Sequence, residues 1–229
     1  MTVTTPALFR AAAVAAGASG VLFVAVQVAH PHMDATTITT TELVVRNSTK
    51  VLMAVLALAG VTGLYLRQVR EAGVLGLVGY LLLSAGYLVI GAVAFVAGYV
   101  LPAVAGSAPE YVDGVLTIAT GGTTSADTGS WPVVNAVQGA GYLLGGLVFG
   151  IAQVRARVLA RWAAWLLVAA TVATLAVPVL PHALDRALAV PAGAALLGLG
   201  WSLWRSTRSA AAPVDPAVLV RGGRVAGPR

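Results

Sequence analysis

Six long apolar runs, each of roughly 16 to 29 residues, constrain this sequence more than any other feature. A helix needs about 20 apolar residues to cross the hydrocarbon core of a bilayer. Hydrocarbon offers the backbone no hydrogen-bond partner, so such a run must close its hydrogen bonds internally as a helix. The alternation of polar and apolar residues that is typical of a membrane β-barrel does not occur. The sequence therefore predicts an all-α, polytopic transmembrane helical bundle.

The composition supports this prediction. The 229 residues are 59% hydrophobic and only 10% charged, whereas a soluble domain is about 45–50% apolar and about 25% charged. The chain has no cysteine, which excludes disulfides, thiolate metal sites and cysteine nucleophiles. No phosphate-binding loop, dinucleotide-binding fingerprint or hydrolase elbow is present, so the sequence argues against an enzyme of those classes.

The predicted spans form one transmembrane domain, 1–204, and cover residues 11–29, 44–66, 73–101, 133–152, 162–180 and 187–204. The first run is too long for a signal peptide, so we expect it to be retained as a span. The connection 102–131 predicts a short interfacial helix, with Ser107 as its N-cap and Pro109 in its first turn, followed by a flexible polar loop. The tail 205–229 is rich in Arg, Ala, Pro and Gly and is predicted to be disordered.

The basic residues predict the orientation. If both termini are cytoplasmic, eleven of the fourteen lysines and arginines lie on the cytoplasmic side, and only Arg46, Lys50 and Arg186 lie outside. This bias satisfies the positive-inside rule, so we expect six spans with both ends inside. Because the basic residues follow the sides of the membrane, the net charge of +6 predicts no nucleic-acid partner. It predicts the lipid bilayer as a partner, with anionic lipids at the cytoplasmic face.

A short motif occurs twice, 85 residues apart. Gln68-Val-Arg70 follows the second span, and Gln153-Val-Arg155 follows the fourth. Two helical hairpins with the same orientation would form a parallel repeat, as in some transporters. The recurrence of arginine at every tight cytoplasmic turn is the simpler interpretation, and the sequence favours it.

All three histidines fall at the predicted outer surface, as His30, His32 and His182. Imidazoles are good metal ligands, so these residues are candidates for a metal site, and a proton-linked or ligand-binding role is a second possibility. A haem held between His30 or His32 and His182 is geometrically conceivable, but no other feature of the sequence supports it. The alternative interpretation is that Pro31 and the histidines simply end helices where the chain meets the headgroups.

Three amides lie in the outer halves of the predicted spans: Gln27, Asn135 and Gln138. With His30 and His182 they predict a polar, outward-facing ligand pocket inside the bundle, because a buried amide seeks a partner. Interhelical hydrogen bonding, worth about 0.6–2 kcal/mol for each bond, is the structural alternative. No charged residue lies in the middle of a span, which argues against a charge-relay pump and a retinal Schiff base.

Span 4 carries two small-xxx-small pairs, Gly141/Gly145 and Gly146/Gly150, which permit close helix approach. They fit packing within the bundle, and they also fit a homo-oligomer or a contact with a partner membrane protein. Both interpretations remain open.

Several segments carry a resemblance to a known group of proteins. They are Val26-Gln-Val-Ala-His-Pro31, Gly63-Leu-Tyr-Leu-Arg-Gln68, Ala72-Gly-Val-Leu-Gly-Leu-Val-Gly-Tyr80, Val158-Leu-Ala-Arg-Trp162 and Val190-Pro-Ala-Gly193. In these segments the chain resembles uncharacterised bacterial multi-pass integral membrane proteins, a group without an assigned activity. The resemblance implies a multi-pass protein of the bacterial cytoplasmic (inner) membrane, and it carries over no functional residues.

Three functions remain open from the sequence. The favoured one is a binding or transport protein with an outward-facing polar pocket. The alternatives are a membrane-embedded scaffold or accessory subunit, and a metal-dependent membrane enzyme that uses the outer histidines.

Overall fold

The computed structural model describes residues 2–28, 31, 33–175 and 189–209. Within these residues the chain is helical and contains no β-strand, so the all-α prediction is confirmed. The helices are α1 (Thr5–Ala25), α2 (Thr41–Leu66), α3 (Val69–Phe95), α4 (Leu101–Val104), α5 (Pro109–Ala119), α6 (Trp131–Ala156), α7 (Arg161–Ala173) and α8 (Ala189–Ser209). A 3-10 turn, Thr37–Thr39, precedes α2.

Four helical segments in the described part of the chain are long and apolar enough to cross a membrane. They are α1, α2, α6 and the continuous helix Val69–Val104, in which a π-helical turn, Val96–Val100, joins α3 to α4. The described part of α7 is a shorter apolar helix. The chain is therefore a helical bundle of the kind that spans membranes.

Several helix ends differ from the ends of the predicted spans, and at the start of α1 the cause is capping. α1 begins at Thr5 rather than at residue 11, because the Thr4 hydroxyl accepts a hydrogen bond from the Ala7 amide and Pro6 lies in the first turn. α1 ends at Ala25, before the predicted residue 29. α8 continues to Ser209, so the first five residues of the predicted disordered tail are helical. Residues 210–229 lie outside the described residues.

The long helices form a closed ring in the order α1, α2, α3, α6, α7, α8 and back to α1. Each of them packs against the two helices beside it in this order. Phe23 of α1 stacks on Tyr142 of α6 with ring centroids 6.3 Å apart. Because α1 and α6 are not neighbours in the ring, this contact crosses its interior.

The two ends of the ring differ in chemistry. The arginine end carries Arg67, Arg70, Arg155, Arg161 and Arg205. The cap end carries the 3-10 turn, α4 and α5, which enclose a second, smaller apolar core. Its fully or nearly fully buried members include Ile38, Leu43, Leu101, Val112 and Leu116.

The predicted interfacial helix exists as α5, with Pro109 in its first turn. The prediction that Ser107 is its N-cap is wrong, because Ala108 occupies that position. The preceding helix extends to Val104, and Ser107 lies in the turn that closes it, where its hydroxyl donates to the Val104 carbonyl at 3.2 Å.

Both glycine pairs of α6 lie at contacts within the ring. A Cβ at Gly145 would meet the backbone of Leu83 on α3, and a Cβ at Gly141 would meet the backbone of Gly86. A Cβ at Gly146 would meet Thr171 on α7, and one at Gly150 would meet Val168. The packing interpretation of these glycines is confirmed, since both faces are covered by helices of the same chain.

Candidate functional site

The structure describes all three of the predicted amides. Gln27 lies in the turn that follows α1 and is half-buried. Asn135 and Gln138 lie on α6, and both are also half-buried. Gln138 is one turn nearer the cap end than Tyr142, a residue whose ring lies inside the bundle. Of the three, Gln138 is the residue whose side-chain oxygen is buried without a hydrogen-bond partner.

The histidines His30, His32 and His182 lie outside the described residues, so their predicted roles in a pocket or a metal site stay predictions. Among the residues that the structure describes, no group of three or more His, Cys, Asp or Glu side chains is arranged to hold a metal ion.

An aromatic cluster occupies the ring interior next to Gln138. The Tyr142 ring stacks on Phe23 of α1, and its other contact is edge-to-face with Tyr87 of α3 at 6.0 Å. Tyr87 is only 1% exposed. Three helices thus contribute one aromatic side chain each. Aromatic rings offer polarisable faces and a negative quadrupole to a bound molecule, so the cluster suits an apolar or cationic group.

Six buried side-chain atoms of the described residues have no hydrogen-bond partner: Gln138 Oε1, Ser84 Oγ, Asn47 Nδ2, Arg10 Nε, Gln68 Oε1 and Gln153 Nε2. Ser84 is three residues before Tyr87 on α3, so the two side chains lie on one helix face. Asn47 packs beside Gly98 in the π-helical turn, where a Cβ would come within 3.0 Å of the Asn47 side chain. A buried polar group without a partner costs about 1–3 kcal/mol. A hydrogen bond between a bound molecule and Gln138 Oε1, Ser84 Oγ or Asn47 Nδ2 would remove this cost.

Sequence reasoning missed Asn47 and Ser84. Each lies in or beside an apolar run, and the isolated polar residue in that run was the available signal. Which of these side chains face the interior depends on how the helices pack, and the hydropathy of the run does not contain that information.

The interior toward the arginine end is filled. Leu64, Leu199 and Leu203 are fully buried there and Phe149 is 2% exposed, and all four belong to one continuous core. The unpartnered atoms Gln138 Oε1 and Asn47 Nδ2 lie on the cap-end side of this core. A molecule that reaches them would therefore enter from the cap end.

The repeated glutamines meet at the arginine end. Gln68 Nε2 donates to Gln153 Oε1 and to the Leu64 carbonyl, and both side chains are 1% exposed. The contact forms because Gln68 lies in the turn between α2 and α3, and α3 packs beside α6. Gln68 and Gln153 therefore form a pair of buried amides at this end.

Hydrogen bonds fasten the cap end to the ring. The Asp113 carboxylate on α5 accepts from the Ala35 amide at 2.6 Å. The Asp34 carboxylate accepts from the Thr36 hydroxyl and the Thr37 amide, and these bonds hold the pKa of Asp34 well below its usual range. Arg46 donates to two carbonyls at the end of α1 and pairs with Glu42.

Comparison with protein families, curated proteins and solved structures finds no match to this chain.

Proposed function

We propose that this chain is a six-span integral membrane protein that binds a small polar or amphiphilic molecule inside the cap-end half of its helical ring. Its four long apolar helices support membrane insertion. The closed ring supports two further spans, because α7 and α8 complete it between α6 and α1. A helix within such a ring shares the environment of its neighbours, so all six belong in the bilayer.

The proposed orientation places the arginine end in the cytoplasm and the cap end outside. It rests on the positive-inside rule, with Arg46 and Lys50 as the described basic residues at the cap end. Three of the five tryptophans, Trp162, Trp165 and Trp201, are exposed near the arginine end, as expected of side chains at a membrane interface. Reporter fusions at the C-terminus and within 120–130 should report inside and outside, respectively. Two reporters on the same side would contradict the six-span topology.

The observation that carries the binding function is the unpartnered Gln138 Oε1 beside Tyr87, Tyr142 and Phe23. This atom is a buried acceptor without a donor, on the helix turn next to the Tyr142 ring. The arrangement supports one hydrogen bond to a ligand donor, with apolar or cationic parts of the ligand against the rings.

Buried apolar side chains fill the interior of the ring at the arginine end. This supports a binding protein, or a transporter that works by alternating access, rather than an open channel. Leu199, Leu203 and Phe149 leave no continuous polar path along the described interior. A transported molecule would require these helices to move apart at that end.

A ligand screen on the purified protein in maltoside micelles tests the proposal. Amino acids, polyamines, nucleosides and sugars are added singly, and the shift in Tm is measured. At least one compound should raise Tm, and Gln138→Leu should abolish that shift.

The matched control is Thr62→Val, because Thr62 bonds Tyr80 in the α2–α3 seam and does not line the interior cluster. This variant should keep the ligand-induced shift. If no compound raises Tm and Gln138→Leu only stabilises the protein, Gln138 is a tolerated packing defect and the proposed site does not exist.

Anionic lipid is the partner that we propose at the cytoplasmic face. Arg10 of α1 and Arg208 of α8 both lie over the Trp204 ring, 6.0 and 5.7 Å from its centroid. Neither forms an ion pair within the described residues, and the Arg10 Nε is buried without a hydrogen-bond partner. Two positive groups that contact the same aromatic side chain favour an anionic lipid headgroup beside it.

Native mass spectrometry of the full chain tests this partner. Phosphatidylglycerol should remain bound more often than phosphatidylcholine, and Arg10→Gln with Arg208→Gln should remove the preference. Arg70→Gln, which removes one charge from the same end, is the control. A preference that survives the double substitution would place the lipid elsewhere.

A further inference from the structure

A cavity at the cap end lies outside the ring interior. Its volume is about 410 Å³, and it opens between the start of α5 and the start of α6. Tyr111 and Trp131 contribute aromatic surface, Asp127 contributes a carboxylate, and Val134 contributes apolar surface from α6. Among the residues that the structure describes, no lysine or arginine lines the cavity.

Local contacts hold the walls of this cavity. The Trp131 indole N–H donates to the Tyr111 hydroxyl at 2.9 Å, which fixes the two rings relative to each other. The Asp127 carboxylate accepts from the Gly129 amide at 3.0 Å, and Gly129 has the positive φ of 58° that turns the chain toward α6. Thr128, between them, is 6% exposed. The carboxylate and the aromatic pair are therefore positioned before any ligand arrives.

The segment that carries Asp127 also rests directly on α5. A Cβ at Gly114 would lie 2.8 Å from the Thr128 methyl group and 3.0 Å from Ala126 Cβ. The absence of a side chain at Gly114 thus lets the loop approach the helix that carries Tyr111. This close approach gives the cavity its aromatic wall on one side and its carboxylate on the other.

The charge at this end is negative. Asp127 forms no ion pair within the described residues. Four further acids lie at the cap end, namely Asp34, Glu42, Glu110 and Asp113, and they outnumber the two described basic residues there, Arg46 and Lys50, neither of which lines the cavity. The N-terminus of α6 contributes a partial positive charge of about half a unit, which is smaller than the full negative charge of Asp127 and acts only over the first turn. The net field in the cavity therefore favours a cation.

We infer that the Asp127 cavity binds an organic cation, with the ammonium group between the Asp127 carboxylate and the faces of Tyr111 and Trp131. A carboxylate together with aromatic faces is the arrangement that recognises alkylated ammonium groups. A metal ion is disfavoured because the described lining of the cavity offers a single carboxylate, whereas Ca²⁺ or Mg²⁺ takes several oxygen ligands. Val134 is four residues before Gln138, so the cavity lies on the α6 face that leads to the interior site. The inference does not depend on that site.

Equilibrium dialysis of radiolabelled choline against the full chain in dodecyl maltoside tests the inference. Choline should bind saturably, and 3,3-dimethylbutan-1-ol, its neutral isostere, should not compete. Asp127→Asn should weaken choline binding at least tenfold, and Tyr111→Ala at least threefold.

Two further variants make the result decisive. Glu110→Gln removes one negative charge from the same end without lining the cavity, and it should change the affinity less than twofold. Gln138→Leu should leave choline binding intact, which separates this cavity from the interior site. Absence of saturable binding, competition by the neutral isostere, or equal losses in Asp127→Asn and Glu110→Gln would each overturn the inference.

Discussion

Replacing Gly145 with alanine should destabilise the seam between α3 and α6. An ideal Cβ on Gly145 would lie 2.2 Å from the Leu83 amide nitrogen and 2.5 Å from the Leu83 Cα. These are backbone atoms in the middle of α3, so no side-chain rotation relieves the clash. Carbon contacts are favourable near 3.5–4.0 Å, so the two helices must separate locally by about 1 Å.

The expected magnitude follows from two opposing terms. Overpacking of a tight core costs about 1–3 kcal/mol, and we expect the upper end because the obstacle is backbone. Alanine recovers about 1 kcal/mol through its higher helix propensity. The net loss is about 2 kcal/mol. Gly139→Ala is the matched control on the same helix, because nothing lies within 4 Å of its Cβ. It should gain up to about 1 kcal/mol, so the two variants should differ by about 3 kcal/mol.

Equilibrium unfolding in mixed maltoside and dodecyl sulfate micelles, followed by far-UV circular dichroism, measures the difference. Light scattering on the same samples reports the oligomeric state. Equal unfolding free energies for Gly145→Ala and Gly139→Ala would refute the packing described for α3 and α6. If Gly145→Ala instead dissociated an oligomer at unchanged stability, the glycine face would serve association between chains.

Three further predictions concern the ends of the ring. Replacing either Gln68 or Gln153 with leucine should lower the unfolding free energy by about 1–3 kcal/mol, because the remaining buried amide loses its partner. The double replacement should cost less than the sum of the two, because it leaves neither amide in the buried site. Additive losses in the same unfolding assay would contradict this. Asp34→Asn should lower Tm at pH 7, because the Thr36 hydroxyl stabilises the charged carboxylate, whose pKa is well below its usual range. That stabilisation is fully present above the unfolded-state pKa of about 3.9 and is lost progressively as the pH falls from there through the lower folded-state pKa. The Tm difference should therefore be smaller at pH 3 than at pH 7, and a constant difference would argue against this account. Arg46→Ala should remove the hydrogen bonds that its guanidinium group donates to the Val26 and Val28 carbonyls, at 3.2 and 2.9 Å. Hydrogen exchange of the backbone amides at the end of α1 should then rise about tenfold or more. Unchanged exchange would show that other contacts hold this end.

The repeated Gln-Val-Arg motif shows how sequence and tertiary structure share the explanation. The sequence supplied the spacing of 85 residues between the two motifs. It did not predict that Gln68 and Gln153 would bond to each other at the arginine end. That contact required α3 to lie beside α6. Which helices become neighbours depends on which helix faces carry the small residues that allow close approach.

The sequence by itself determined that this chain forms long apolar helices, because hydropathy and backbone hydrogen bonding act within each segment and need no partner. It also identified Pro109 as the start of a short helix and Gln138 as a polar residue inside an apolar run. Tertiary structure alone decided the order of the helices, the meeting of Phe23, Tyr87 and Tyr142, and the absence of a partner for Gln138 Oε1. These features arise between segments that are distant in sequence, where packing at glycine contacts sets which side chains meet.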